Sequence, residues 1–157
     1  MELELNGAKL KVYESGEIHR LYKKGWLLGK GSINKDGYRV IKLNNKLLKI
    51  HRIVYKAFNP DWNIDDPKQQ IDHRNRVRND NRICNLRVAT CAENQQNTIR
   101  KGYHWCNRSK RWISRVQFNG VCRIKKCKTE EDAIQAVHEL RLKYFPFYER
   151  TAIPEGE

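Results

Sequence analysis

Residues 71–97, which read IDHRNRVRNDNRICNLRVATCAENQQN, decide the fold of the centre of this chain. The segment opens with the strand-like piece Ile71-Asp72-His73 and continues through a polar loop rich in Asn and Arg. Residues 85–89 then form a second strand-like piece that would run back beside the first. This pattern predicts an antiparallel hairpin with a long loop. Thr90, with a glutamate three residues later, forms a capping box that predicts a helix to about Ile99.

Three polar side chains of this stretch could together hydrolyse a phosphodiester. Asp72 and His73 are neighbours on a strand and would approach a scissile phosphate from different directions. One carboxylate oxygen from Asp72 and one amide oxygen from Asn94 suit magnesium, whose remaining positions are filled by water and DNA. An imidazole with a pKa near 6.5 makes His73 a useful general base. Asp-His pairs and helical Asn residues also occur without function, so a structural interpretation stays open.

The order of these residues resembles the motif of the HNH nucleases, particularly the homing endonucleases of phages and introns. The matching pieces are Ile71-Asp72-His73, Asn85-Leu86-Arg87, Asn94-Gln95-Gln96-Asn97 and, upstream, His51-Arg52-Ile53-Val54. The resemblance implies a ββα-metal finger in which His73 is the general base and Asp72 and Asn94 hold one divalent metal. The implied metal is Mg²⁺, for which Mn²⁺ would substitute.

The resemblance implies supporting roles for three further residues. Asn85 is implied to brace the hairpin loop. His51 either supports the site structurally, which we favour, or contacts the substrate, and Asn97 either assists the site or bonds the backbone. In many members of the family the last residue of the motif is His, but some have Asn there, as this chain does at Asn94. An amide ligand at this position implies weaker binding of the metal.

Charge points to nucleic acid as the partner. The chain has 32 Lys and Arg against 18 Asp and Glu residues, a net charge of +14, which attracts polyanions. An anionic membrane surface is the competing partner, but no stretch approaches the roughly 18 apolar residues of a membrane span, and no signal-peptide pattern opens the chain. We therefore expect double-stranded DNA as partner, no membrane, and a cytoplasmic location, in the host cell if the protein is phage-encoded.

Five cysteines, an odd number without any CxxC pair, predict reduced thiols rather than a disulfide framework. Their gaps are wider than those of zinc knuckles, so structural zinc is not expected.

The predicted fold class is α+β in three parts. Residues 1–49 form a small β-rich unit, with alternating strands over residues 9–13 and 38–43 and glycines at the turns. Residues 50–100 form the HNH domain, opening with a helix over Ile50–Phe58 that Asn59-Pro60 ends. Residues 101–157 form a third unit.

The third unit is predicted to be a three-stranded antiparallel sheet packed on one helix. Strands are expected over residues 102–106, Arg111–Phe118 and Val121–Cys127, with a turn at Asn119-Gly120 and a helix capped by Thr129 that ends before Pro146. The segment resembles the Apetala-type (ethylene-response) DNA-binding domain. The matching pieces are Gly102-Tyr103-His104-Trp105, Arg111-Trp112-Ile113-Ser114-Arg115-Val116 and Thr129-Glu130-Glu131-Asp132-Ala133. That family lays its sheet in the DNA major groove.

Alternation along the strands predicts which face of this sheet reads DNA. Ile113, Arg115 and Gln117 share one face, and the opposite face of that strand packs on the helix. On the third strand Cys122 and Ile124 are predicted to turn inward. The predicted base-contacting residues are therefore His104, Arg115, Gln117, Arg123 and Lys125, with contact to phosphates only as the alternative.

Four arginines of the hairpin loop are expected to bind DNA phosphates beside the cleavage point: Arg74, Arg76, Arg78 and Arg82. The first hypothesis is thus a metal-dependent, site-specific DNA endonuclease that acts as a monomer or weak dimer and makes nicks or double-strand cuts. The alternatives are a non-catalytic, sequence-specific DNA-binding regulator and a zinc-stapled RNA-binding protein.

Overall fold

The computed structural model describes residues 1–97, 100–118 and 120–148. It divides the chain into two compact units, residues 1–91 and residues 92–157. Helices mix with several small antiparallel sheets, which confirms the predicted α+β class. None of the helices within the described ranges is long and apolar enough to cross a membrane.

The first unit begins with two small antiparallel sheets. On the second strand, Ala8, Leu10 and Val12 are buried while Lys9 stays exposed, so the predicted alternation of apolar and polar residues is confirmed. The strands of the first sheet are β1 (Glu2–Leu5), β2 (Ala8–Val12), β3 (Ile18–Tyr22) and β4 (Gly25–Leu28), and those of the second are β5 (Ser32–Ile33), β6 (Arg39–Leu43) and β7 (Lys46–Lys49).

The predicted helix α1 (Ile50–Phe58) is confirmed, and its apolar face joins the N-terminal strands in one core. Ile50, Ile53 and Val54 recur at the helical period and are at most 1% exposed. The same core includes Leu10 of β2 and Leu86 of the later hairpin. The N-terminal strands thus share their core with the HNH-like segment, because a unit of about 50 residues buries little surface by itself.

The predicted hairpin and the start of the following helix are also confirmed. Strand β8 (Gln70–His73) pairs antiparallel with β9 (Leu86–Ala89), and a 3-10 turn (Ile83–Asn85) precedes β9. Helix α2 (Cys91–Gln96) follows. The predicted helix end at Ile99 lies outside the described residues.

The second unit contains the predicted three-stranded sheet, in the order β10 (Tyr103–Cys106), β11 (Arg111–Phe118) and β12 (Val121–Cys127). Of the predicted turn, Asn119 lies outside the described residues and Gly120 adopts a φ of 77°. Helix α3 (Glu130–Tyr144) is capped by Thr129, whose Oγ1 accepts from the Asp132 N–H at 3.1 Å. It packs on the sheet face that carries Ser114, whose hydroxyl donates to the Ala133 carbonyl at 2.9 Å.

Candidate active site

His73 lies at the end of β8 and is almost fully enclosed, with 4% of its surface exposed. Its Nε2 is 3.2 Å from Oδ1 of Asn81, a buried residue of the loop that connects β8 to the 3-10 turn. A carboxamide oxygen can only accept a hydrogen bond, so Nε2 carries the proton in this arrangement. The lone pair of the neutral ring is then on Nδ1.

Two further rings pack against His73. The ring of His51, from the first turn of α1, meets it edge-on with a centroid distance of 4.9 Å, and the Tyr38 ring is 5.9 Å away. Tyr38 also lies 5.1 Å from His51. His51 is 3% exposed, and its Nδ1 is buried without a hydrogen-bond partner among the described residues. His51 therefore contributes to the packing around His73.

Burial keeps both imidazoles neutral near pH 7. Desolvation, assisted by the nearby His73, Lys49 and Arg52, lowers the pKa of His51 to about 2. Desolvation also lowers the pKa of His73, although the hydrogen bond to Asn81 and the neighbouring Asp72 act in the opposite direction. A neutral His73 is the protonation state that a general base requires.

The buried His51 makes the stability of the fold sensitive to acid. The unfolded chain protonates this residue near its ordinary pKa of about 6.5, whereas the folded chain resists protonation down to about pH 2. The stability that neutral His51 confers is thus complete above about pH 6.5 and is lost as the pH falls, by up to about 1.4 kcal/mol per pH unit. His51→Phe should flatten this dependence between about pH 6.5 and 4. Urea unfolding of both proteins across this range measures the effect, and equal slopes would refute it.

Asp72 pairs across the hairpin with Arg87 of β9. Both Nε and Nη2 of Arg87 lie 2.8 Å from Asp72 Oδ2, and the two side chains are only 12% and 5% exposed for Arg87 and Asp72 respectively. The Asp72 carboxylate, beside His73, is therefore held in a buried ion pair, and Arg87 balances its negative charge.

Asn85 lies inside the loop that it was predicted to brace. Its Oδ1 accepts from the Asn75 N–H at 3.0 Å, and its Nδ2 donates to Asn75 Oδ1 at 2.9 Å and to the Asp80 carbonyl at 2.8 Å. Arg82 donates to both carboxylate oxygens of Asp80, and these bonds lower the pKa of Asp80 to about 2. The loop is thus cross-linked by side chains as well as by backbone.

The loop arginines differ in their surroundings. Arg74 is exposed, and Arg76 is half-buried with a positive φ of 63°. Arg78 donates to the Asp36 carbonyl at 2.7 Å and lies over the Tyr38 ring. Arg82 is paired with Asp80, so its charge is partly neutralised. Contact of these residues with phosphates stays a prediction.

Asn94 and Asn97 belong to the second unit, whereas Asp72 and His73 belong to the first. Asn94 is half-buried on α2, and its carbonyl accepts from the Asn97 N–H at 3.2 Å. Asn97 is buried, with 5% of its surface exposed. The joint role of Asp72 and Asn94 as metal ligands remains a prediction.

The donor types fit a hard divalent cation. A carboxylate oxygen and a carboxamide oxygen, the donors predicted at Asp72 and Asn94, are ligands that Mg²⁺ accepts. The Arg87 guanidinium already balances the charge of Asp72, so we expect weak binding until DNA phosphate contributes oxygens. Within the described ranges, no group of three or more His, Cys, Asp or Glu side chains could hold a metal ion.

Arg123 and Lys125, on the third strand of the C-terminal sheet, were predicted to point away from the helix, and this prediction was wrong. Cys127 is buried against α3, and a period of two places Lys125 and Arg123 on that same helix-facing side. Lys125 bonds Glu139 of α3 at 3.2 Å, and Arg123 lies 3.9 Å from the Tyr144 ring centroid. The prediction assumed that Cys122 and Ile124 face inward, but the stems of long basic side chains can cover a helix equally well.

The side of this sheet opposite α3, which we call the open face, carries three of the predicted DNA-binding residues. His104 pairs with Ile113, and Arg115 pairs with Ile124, which is 59% exposed. The members of the open face are His104, Cys106, Arg111, Ile113, Arg115, Gln117, Cys122, Ile124 and Lys126. His104, Arg115 and Gln117 lie on the side of the sheet opposite α3, as predicted. Their contact with DNA stays a prediction.

The sequence interpretation missed Tyr38, Asn81 and Arg87 as neighbours of the site. Arg87 could have been found, because a hairpin that brings residue 85 back towards residue 74 places it opposite Asp72. Tyr38 is 35 residues before His73 and has no local signal. Asn81 is one of several asparagines in the loop, and only the folded loop distinguishes it.

Comparison with known proteins defines the class of this site. Residues 48–96 match the family described as HNH endonuclease. This segment, which contains α1, the β8–β9 hairpin and α2, is the part of the chain that is similar to that family. The match covers less than half of the 157 residues, so the similarity concerns this segment and not the whole chain.

One solved structure similar to this chain is titled "DNA binding and cleavage by the HNH homing endonuclease I-HmuI". The identity is 20%, the alignment covers 91% of this chain and 86% of that one, and the TM-score is 0.49. A likeness of this strength transfers no residue roles. No protein of curated function matches the chain in sequence.

Proposed function

We propose that this protein is a metal-dependent endonuclease that hydrolyses phosphodiester bonds in double-stranded DNA at specific sites. One observation carries the proposal: within the HNH endonuclease domain, a buried and neutral His73 lies next to Asp72, with its Nε2 proton engaged by Asn81. This arrangement presents an imidazole ready to accept a proton beside a carboxylate suited to a cation.

In this proposal each residue has a distinct task. His73 accepts a proton from the attacking water, and the packed rings of His51 and Tyr38 keep its orientation. Asp72 and Asn94 would hold Mg²⁺ or Mn²⁺. When bound, the cation would neutralise charge on the phosphate and on the departing 3′ oxygen. Exposed Arg74 and half-buried Arg76 are close in sequence to His73 and would bind flanking phosphates.

The open face of the C-terminal sheet supports DNA binding by a second surface, in agreement with the Apetala-type resemblance. Arg115 and Gln117 are exposed there, and Arg and Gln side chains suit guanine and adenine edges. The exposed Ile124 next to Arg115 adds an apolar group of the kind that contacts thymine methyls.

A matched pair of substitutions tests this surface. Arg115→Ala removes a cation from the open face, and Lys125→Ala removes one from the helix-facing side of the same sheet. We expect the first to weaken binding of the cognate duplex by roughly 1–3 kcal/mol and the second by less than about 0.5 kcal/mol. Gel-shift titrations at one salt concentration measure both, and equal losses would mean that only total charge matters.

Incubation with natural DNA tests the catalytic proposal. Plasmid and long linear DNA should be cut with Mg²⁺ or Mn²⁺ and should stay intact with a chelator. Mapped products should carry 5′ phosphates and 3′ hydroxyls at recurrent positions, because the cation stabilises the 3′ leaving oxygen. Absence of cleavage with either metal, under conditions where DNA is bound, would refute the proposal.

The ion pair between Asp72 and Arg87 favours one alternative, a DNA-binding regulator in which the HNH domain is structural. A carboxylate whose charge is already balanced inside the protein has less need of a metal. The same incubation separates the two functions, since the regulator binds DNA without cutting it.

A further inference from the structure

Asn81, in the loop of residues 74–82, is hydrogen-bonded to the His73 ring. Its Oδ1 accepts from the Nε2–H of His73 at 3.2 Å, and only 5% of the Asn81 surface is exposed. Other residues of the loop bond within it or to the following 3-10 turn, as in the pairs Asp80 with Arg82 and Asn75 with Asn85. Those bonds order the loop, whereas Asn81 links the loop to the imidazole.

A turn of the N-terminal sheet contacts the backbone of Asn81. Residues 13–17 connect β2 to β3 and are closed by bonds from the Tyr13 N–H to the Glu17 carbonyl and from the Gly16 N–H to the Tyr13 carbonyl, each at 3.0 Å. The Ile83 N–H donates to the Glu14 carbonyl of this turn at 2.9 Å. The turn is therefore bonded to the chain two residues beyond Asn81.

Gly16 lies close against the backbone of Asn81. A Cβ atom at Gly16 would lie 2.7 Å from both the carbonyl carbon and the carbonyl oxygen of Asn81, which is shorter than real Cβ contacts. The backbone of Gly16 also has a φ of 86°, a conformation that glycine adopts readily. Any side chain at Gly16 would displace the peptide that carries Asn81.

We propose that Asn81 is a positioning residue for His73 and that the turn of residues 13–17 holds Asn81 in place. The proposal rests on the proposed function, because it takes His73 as the general base. By accepting from Nε2–H, Asn81 selects the tautomer in which the basic lone pair lies on Nδ1. The N-terminal sheet thereby supports catalysis without contacting the phosphate.

Two substitutions at Asn81 separate hydrogen bonding from packing. Asn81→Leu keeps approximate volume but lacks an acceptor, and Asn81→Asp keeps an acceptor oxygen. We expect Asn81→Leu to lower single-turnover cleavage by about 10–100-fold with DNA affinity changed by less than about threefold, and Asn81→Asp to remain within about tenfold of the unsubstituted protein. Equal cleavage by Asn81→Leu and the unsubstituted protein, or equal losses in the two variants, would overturn the role of Asn81.

A pair of glycine substitutions tests the turn. Gly16→Ala introduces the clash with Asn81, whereas Gly25→Ala, at a similarly positive φ of 104°, meets nothing within 4 Å. Both variants carry backbone strain, so the difference between them isolates the contact with Asn81. We expect cleavage by Gly16→Ala to fall at least about tenfold below that of Gly25→Ala, at temperatures where both are folded. Equal rates would overturn the role of the turn.

The tautomer of His73 gives a readout that does not need cleavage. ¹⁵N NMR of the histidine side chains at about pH 8, above the ordinary imidazole pKa, distinguishes protonated from unprotonated ring nitrogens. We expect the Nε2–H form of His73 in the unsubstituted full-length protein and a mixture of tautomers in Asn81→Leu and Gly16→Ala. The same tautomer in all three proteins would overturn the proposal. Should the unsubstituted protein show the expected tautomer but never cut DNA, the proposed function alone would fail.

Discussion

His73→Ala is expected to reduce the single-turnover rate of DNA cleavage by about 10²–10⁴-fold, the range typical for loss of a general base. The physical reason is that the attacking water would lose its proposed proton acceptor, whereas Asp72 and the proposed DNA-binding surfaces are unchanged. We therefore expect DNA affinity to stay within about threefold, which is less than about 1 kcal/mol. Cleavage assays with Mg²⁺ and gel-shift titrations on the same preparation measure the two quantities.

His19→Ala provides the matched control for this experiment. His19 is a half-buried histidine of the same unit whose ring packs on Tyr13, at 5.2 Å between centroids. Its loss removes one imidazole from the N-terminal sheet without changing His73 or Asn81, and should lower cleavage far less than His73→Ala does. If His73→Ala cut DNA as fast as His19→Ala, the assignment of the general base would fail.

Asp72→Asn is expected to have two large effects, one on cleavage and one on stability. Loss of the carboxylate should lower cleavage by about 10³-fold, equivalent to roughly 4 kcal/mol of transition-state stabilisation, because the cation loses its charged ligand. It also breaks the ion pair between Asp72 and Arg87, which should lower the free energy of unfolding by up to about 3–5 kcal/mol. Urea unfolding measures the second effect in the absence of DNA.

Arg87→Met separates these two effects, because it breaks the same ion pair and keeps the carboxylate. We expect a comparable loss of stability, but cleavage within about tenfold when the protein is folded. Mg²⁺ should raise the stability of Arg87→Met more than that of the unsubstituted protein, because the cation replaces the missing positive charge and binds only the folded state. Equal losses of cleavage in the folded Asp72→Asn and Arg87→Met proteins would mean that Asp72 acts through the fold and not as a ligand.

Local patterns predicted much of the secondary structure. The helical spacing of Ile50, Ile53 and Val54 identified α1, and the alternation on residues 111–118 gave both the bounds of β11 and its two faces. Thr129 was recognisable as a helix cap because its bond to Asp132 spans only three residues. These features depend on residues that are close together in the chain, so they can be recognised from the sequence alone.

The facing of β12 could not be predicted in the same way. Cys122, Ile124 and Arg123 alternate, but either set can face a helix, since arginine and lysine stems are apolar. Which side of β12 faces α3 is decided by the packing of Cys127 against Ala133 and by the bond between Lys125 and Glu139 of α3. Both contacts involve a separate element, and strand periodicity carries no information about them.

The sequence by itself determined the order of strand, loop, strand and helix, the HNH motif and the candidate chemistry of Asp72 and His73. Only the tertiary structure decided that His73 is buried and neutral, that Asn81 accepts its Nε2 proton and that His51 packs against it. The physical reason is that hydrophobic period and capping are set by nearby residues, whereas desolvation and hydrogen-bond partners arise only when distant segments come together. Gly16 and Asn81, 65 positions apart in the chain, meet because the N-terminal strands share one core with α1 and the β8–β9 hairpin.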